Sequence, residues 1–169
     1  MNWNSYFIEL ADSVSKKSKD PNRKVGAIIV GPDNEIRSTG FNGFPRRVLE
    51  DFNVHDESQY LEESGFELER WKRPAKYDYV IHAELNAIIN AARCGTAVNG
   101  CTLYMNWEPF PCHECAKAVI NAGVIKVVGP ARPFVNNNYA QKQYKDWNAS
   151  IELTKTMSRE SGISIKIVQ

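Results

Sequence analysis

Trp3, Tyr6, Phe7, Leu10 and Val14 recur at helical spacing and predict a first amphipathic helix, which ends in the polar run Ser15 to Pro21. The period then changes. Val25 to Val30 is a short apolar, β-branched run closed by Gly31-Pro32-Asp33-Asn34, and Glu35 to Gly40 reads as its hairpin partner. From Pro45 to Asp78 no period holds. This stretch is charged and irregular, with Tyr60, Phe66, Leu68 and Trp71 scattered through it. It reads as an insertion with some helix, packed on the body or on another subunit, and too aromatic for a disordered segment.

Periodicity returns with a second helix expected from about Val80 to Arg93, burying Ile81, Leu85, Ile88, Ile89 and Ala92 and carrying His82 and Glu84 in its first turn. Thr102 to Met105 reads as a strand. Pro111 suits a first helical position, and Ala116, Val119 and Ile120 continue that helix to a stop at Gly123. Val124 to Val128 predicts another strand. A longer helix carries Tyr144, Trp147, Ile151 and Met157, and Ile163, Ile165 and Ile167 alternate as a last strand. This order predicts a three-layer α/β/α architecture: one mixed five-stranded sheet with helices on both faces. A single domain over 1–169, with the insertion at about 45–78, is the expected organisation.

Bulk properties narrow the setting. A chain of 169 residues can bury one sizeable core. Its 21 Lys and Arg against 20 Asp and Glu create no global positive field, which argues against a polynucleotide partner while leaving room for a local basic groove. No apolar run has bilayer-spanning length, and Met1-Asn2-Trp3-Asn4 lacks the basic and apolar regions of a signal peptide, so a cytoplasmic setting is expected. Four cysteines in such a chain suggest metal or free thiols before disulfides. Cys94 and Cys101 are expected as buried small apolar residues.

The chemistry concentrates in His82-Ala83-Glu84 and Pro111-Cys112-His113-Glu114-Cys115. One histidine and two cysteines give Zn²⁺ three ligands and leave the fourth tetrahedral position open to water, as in catalytic sites. Helix N-termini favour the thiolate form that ligation needs. Glu84 is free to move protons between water and a substrate nitrogen. A structural zinc knot would need a fourth ligand, for which His113 and Cys101 are poor candidates. A redox Cys-x-x-Cys pair would leave His82-Ala83-Glu84 unexplained.

These motifs resemble the zinc-dependent cytidine and deoxycytidylate deaminase superfamily, whose signature is His-x-Glu followed by Pro-Cys-x-x-Cys. Val25-Gly26-Ala27-Ile28-Ile29-Val30 and His82-Ala83-Glu84-Leu85-Asn86-Ala87-Ile88 add to the resemblance, and Ser18-Lys19-Asp20-Pro21 and Gly40-Phe41-Asn42-Gly43-Phe44-Pro45 lean toward its deoxycytidylate branch. The resemblance implies a cytidine-deaminase-like fold, one catalytic Zn²⁺ held by His82, Cys112 and Cys115, and hydrolysis of dCMP to dUMP and ammonia, which feeds thymidylate synthesis. Glu84 would protonate N3 and assist ammonia loss. Asn42 would touch the sugar 3′-hydroxyl, although a turn role also suits it between two glycines. The Ala83 backbone would hold the pyrimidine edge. Phe110 would pack on the base or in the core, and Trp107 and Glu108 would line the mouth.

The resemblance also implies a homo-oligomer (a hexamer first, a dimer or tetramer next), activated by dCTP with Mg²⁺ and inhibited by dTTP. Arg23, Lys24, Arg46 and Arg47 are the candidates for binding such triphosphates, with a solvated surface as their plainer role. Three departures bear on the substrate. The Pro45–Tyr77 segment is long, extra residues precede the cysteines between Tyr104 and Phe110, and Gly129-Pro130-Ala131-Arg132-Pro133-Phe134 lacks an acidic-x-Tyr element. There Arg132 is a candidate for a 5′-phosphate and Phe134 for stacking on a base. Two rival readings remain: the same chemistry on another substrate (a nucleoside, a modified cytosine nucleotide, a guanine-like base, or a tRNA or single-stranded DNA base), and a silent zinc-stabilised scaffold. Loss of the glutamate would mark the scaffold, and Glu84 is present.

Overall fold

A computed structural model describes residues 2–48, 70–71, 75–131 and 140–169, with backbone alone for 140–146. Its centre is strand β1 (Gly26–Val30), buried along its whole length. Antiparallel pairing with β2 (Ile36–Phe41) on one side and β3 (Thr102–Met105) on the other explains that burial. β4 (Lys126–Pro130) and β5 (Ser164–Val168) continue in parallel, giving the order β2-β1-β3-β4-β5. The mixed five-stranded sheet is the one expected.

Side chains of a strand alternate between faces, and here each face has its own core. Ile28, Val30, Tyr104 and Val128 meet Phe7 and Ala11 of helix α1 (Trp3–Ser15). Ala27, Ile29, Leu103, Met105 and Val127 meet Ala83, Ala87 and Ala91 of helix α3 (Ala83–Arg93) and Val119 of helix α4 (His113–Asn121). Helices therefore cover both faces. A short helix α2 (Lys76–Tyr79) precedes α3, and the last helix, α5 (Ala140–Ser161), packs beside α4. Among the described residues, no helix is long and apolar enough to cross a membrane.

The expected face of α3 needs correction. Its buried stripe is Ala83, Glu84, Ala87 and Ala91, whereas Ile89 is 42% exposed and Ala92 is exposed. The reason is closeness: at Gly40 of β2 a methyl would collide with the Ala83 carbonyl and the Ala87 amide. Only alanines fit a helix lying that flush on a strand. Gly26 plays the same part beneath Ala11 and Ser15 of α1.

Two hydrogen bonds tie α3 to β2: Asn86 Nδ2 donates to the Phe41 carbonyl and Asn90 Nδ2 to the Thr39 carbonyl, each at 2.8 Å. Helix starts also shift. Val80 and Ile81 are extended, Ile81 bridging Gly43, so α3 begins at Ala83. Pro111 lies before α4, which begins at His113. On α5 the buried positions are Ser150, Thr154 and Ser158, with Trp147, Ile151 and Met157 half-buried.

Candidate metal centre and active site

Both key helices open on a cap residue that carries chemistry. His82 is the N-cap of α3 and Cys112 the N-cap of α4, each in extended backbone. Because a cap projects from the axis where the first N–H groups emerge, two converging N-termini place their cap side chains in one spot. His82 Nδ1 lies 3.3 Å from Cys112 Sγ and 3.5 Å from Cys115 Sγ, and the three ligand atoms all lie within 4.8 Å of one another.

Bond lengths of about 2.3 Å to sulfur and about 2.0 Å to nitrogen in a tetrahedral Zn²⁺ site imply N···S edges of roughly 3.5 Å. The residues fit that ion, with Nδ1 as the ligating nitrogen. Three protein donors leave a fourth direction open.

The electrostatics suit the same purpose. The Cys115 thiol donates toward Cys112, and with His82 this pulls the Cys112 pKa well below the usual thiol range. Cys115 is pushed up, first by that hydrogen bond and then by burial. His82 is pushed up, first through its hydrogen bond with Cys112. Glu84, in the first turn of α3, is 5% exposed, and burial raises its carboxyl pKa while the neighbouring His82 charge opposes the shift.

Beside the trio lies a buried ionic knot. Asp20 is 1% exposed, and its carboxylate accepts from Asn22 N, Arg23 N, Asn42 Nδ2 and, at 2.5 Å, Lys76 Nζ of α2. Every lone pair of that carboxylate has a partner, the condition under which a charge tolerates burial.

The family follows from this site together with the sequence that builds it. Residues 1–129 match the cytidine and deoxycytidylate deaminase zinc-binding region. The chain belongs to that deaminase family. Human deoxycytidylate deaminase is 39% identical over 134 residues, covering 76% of this chain and 64% of the human protein, so the chain spans less than two thirds of that curated relative. The deoxycytidylate deaminase of Enterobacteria phage T4 is 32% identical over 148 residues, covering 73% of this chain and 75% of the phage protein. The dCMP deaminase of cyanophage S-TIM5, solved with dCMP and dUMP, has the same fold: TM-score 0.63 over 97% of this chain and 95% of that one, at 24% identity.

The other residues expected of a deaminase of this family fall in varied places. Ala83 is fully buried at the first position of α3, where its N–H lies beyond the reach of any helix carbonyl. Asn42 is held inside the protein: Oδ1 accepts from Val25 N at 2.8 Å, and Nδ2 donates to Asp20 and to the Arg23 carbonyl. Asn42 does not adopt the left-handed backbone that a turn role would use, and both of its amide protons are committed within the protein. Phe110 lines an open groove of about 450 Å³ with Ile163, Ile165 and Ile167, under Lys155 Nζ at 5.5 Å from the ring centroid.

Arg23 stacks over Trp107 at 4.3 Å, whereas Arg46 donates to Asn90 on α3, so the two basic pairs have separate neighbours. Lys24 and Arg47 are exposed. Arg132 and Phe134 lie outside the described residues, as does most of the 45–78 insertion. The insertion's described end is anchored on the body, Trp71 stacking on Phe44 at 4.5 Å. His113 is directed to Ser150 and Glu114, apart from the metal trio. All four cysteines are free, and Cys94 is exposed rather than buried, because it caps the C-terminal end of α3. Sequence reasoning missed Lys76, which stands in an aperiodic stretch, and Ser150 and Thr154, which carry no apolar signal.

Proposed function

We propose that this protein hydrolyses the amino group of a free cytosine nucleotide, dCMP to dUMP and ammonia. The observation that carries the reading is the buried Glu84 carboxyl, its pKa raised by burial, beside the His82–Cys112–Cys115 trio. His82, Cys112 and Cys115 would hold Zn²⁺, which when bound acidifies a water molecule and supplies the nucleophile. Glu84 would take one proton from the attacking water and pass it to N3 of the ring, then carry the remaining proton of the added hydroxyl to the departing amine. A carboxyl shifted upward by burial suits both halves of that transfer.

The Ala83 N–H would meet the ring edge, and Cys115 is held by the backbone N–H of Leu85, which couples the two helix starts. With Asn42 committed to Asp20 and Val25, its part is to fix the loop that shapes the sugar end of the site. Activation by dCTP with Mg²⁺, inhibition by dTTP, and hexamer assembly are carried as part of this proposal on the family likeness.

Zinc-replete protein incubated with dCMP, with and without dCTP and Mg²⁺, should release ammonia and dUMP. Turnover of cytidine or of a purine base in place of dCMP would keep the chemistry and replace the substrate. No turnover of any of them at one zinc per chain would overturn the reading.

A further inference from the structure

The Cys112 side chain meets His82 of α3, and the peptide groups on either side of it are held by α5. Thr154 Oγ1 donates to the Pro111 carbonyl at 2.8 Å, and Ser150 Oγ accepts from the His113 N–H at 2.9 Å. Ser150 also meets His113 Nδ1 at 2.9 Å, while His113 Nε2 lies 3.1 Å from Glu114 Oε1. These contacts form a consistent chain: Nε2–H donates to Glu114, the Ser150 hydroxyl donates to Nδ1, and its oxygen takes the backbone N–H.

Ser150 and Thr154 are four apart, on one face of α5. They are 7% and 1% exposed. Hydroxyls inside a helix ordinarily bond back to the carbonyl four residues earlier. Here both reach outward to the two peptides that flank one sulfur. A second first-turn amide of α4 is also satisfied, by Cys115 N–H donating to Cys112 Sγ at 3.4 Å. The cap backbone thus has partners before, at and after the ligand.

We propose that Ser150 and Thr154 are positioning residues for the metal, fixing the rotation of the Pro111–Cys112–His113 backbone so that Cys112 Sγ faces His82 Nδ1. The proposal rests on the trio being the zinc site. It assigns to the last helix, beyond the residues 1–129 of the family match, a share in holding the ion. Groups that orient metal ligands typically change metal affinity by roughly 10–100-fold when removed.

The test uses the full chain as wild type, Ser150→Ala, Thr154→Val and Thr154→Ser. Zinc release to a chromogenic chelator and the thiolate-to-Co²⁺ charge-transfer band of the cobalt-loaded protein are recorded beside the melting temperature of the metal-free protein. The expectation is that Ser150→Ala and Thr154→Val release zinc roughly 10–100 times faster and shift the cobalt band, whereas Thr154→Ser, which keeps the hydroxyl, behaves as wild type. Variants that lose melting temperature but keep wild-type release and an unshifted band would overturn the proposal, leaving α5 a packing element. If Thr154→Val does not fold, Ser150→Ala decides alone, by the same two readouts. A wild-type protein that binds no zinc would instead overturn the reading of the trio itself.

Discussion

The two helix starts that make the site are built alike and secured differently. At α4 the cap is closed: Cys112 Sγ accepts from Cys115 N–H, and Ser150 and Thr154 hold its neighbours. At α3 the His82 side chain makes no cap hydrogen bond at all. Its ring is turned to the two sulfurs, and the first turn carries the buried Glu84. In the proposed function the closed end would be a holder, and the open end would keep backbone N–H groups and the Glu84 carboxyl for the substrate.

The comparison breaks most completely at the closed end. Cys112→Ser removes the thiolate ligand while leaving an oxygen that can still cap the helix, and it should abolish zinc retention and turnover and lower the melting temperature, because metal binding here is also folding energy. Retention of one zinc per chain by elemental analysis would contradict the division of roles.

At the open end, Glu84→Gln should lower kcat by roughly 10²–10⁴-fold with zinc content unchanged. The metal-free protein gives the sign of its titration. Burial raises the folded-state pKa of Glu84 above the unfolded value, so the stability that wild type holds relative to Glu84→Gln is fully present below the ordinary carboxylate range. It is lost as pH rises through the raised folded value. Chemical denaturation of both proteins across that window checks it, and a difference independent of pH would refute it.

Lys76→Met leaves Asp20 charged, buried and short of one partner. It should cost about 3–5 kcal/mol in urea unfolding, and Asp20→Asn together with Lys76→Met should recover part of that loss. The smallest effect sharpens the packing side. Ala87→Val on the flush face of α3 should destabilise by roughly 1–3 kcal/mol, while Ile89→Ala should stay within about 0.5 kcal/mol, although apolar size alone would order them the other way.

Much of this was legible in the sequence. Short apolar runs marked β1, β3 and β4, because those strands feed two cores at once and are apolar on both faces, while turn residues marked the β1–β2 hairpin and alternating isoleucines marked β5. The metal trio was legible because ligand spacing and helix caps are local. The buried face of α3 was not. Alanines score weakly as core, and only the nearness of Gly40 makes them the contact. Lys76 and Asp20 are charged residues that ordinarily face water, and nothing local says that they find each other across the chain. Ser150 and Thr154 are silent for the same reason: a hydroxyl's partner lies in another element, here one turn ahead of a cysteine.

Asn86 and Asn90 deserve a different reading from that of helix anchors. A sheet's outer strand is a template for strand addition, and its bare carbonyls are where a foreign or sister strand would begin to zip. On β2 the Thr39 and Phe41 carbonyls are already taken by amides from α3. Fibre growth from that flank must therefore wait until α3 comes away. The condition to watch for aggregation is the one in which α3 frays while the β1–β2 hairpin still stands.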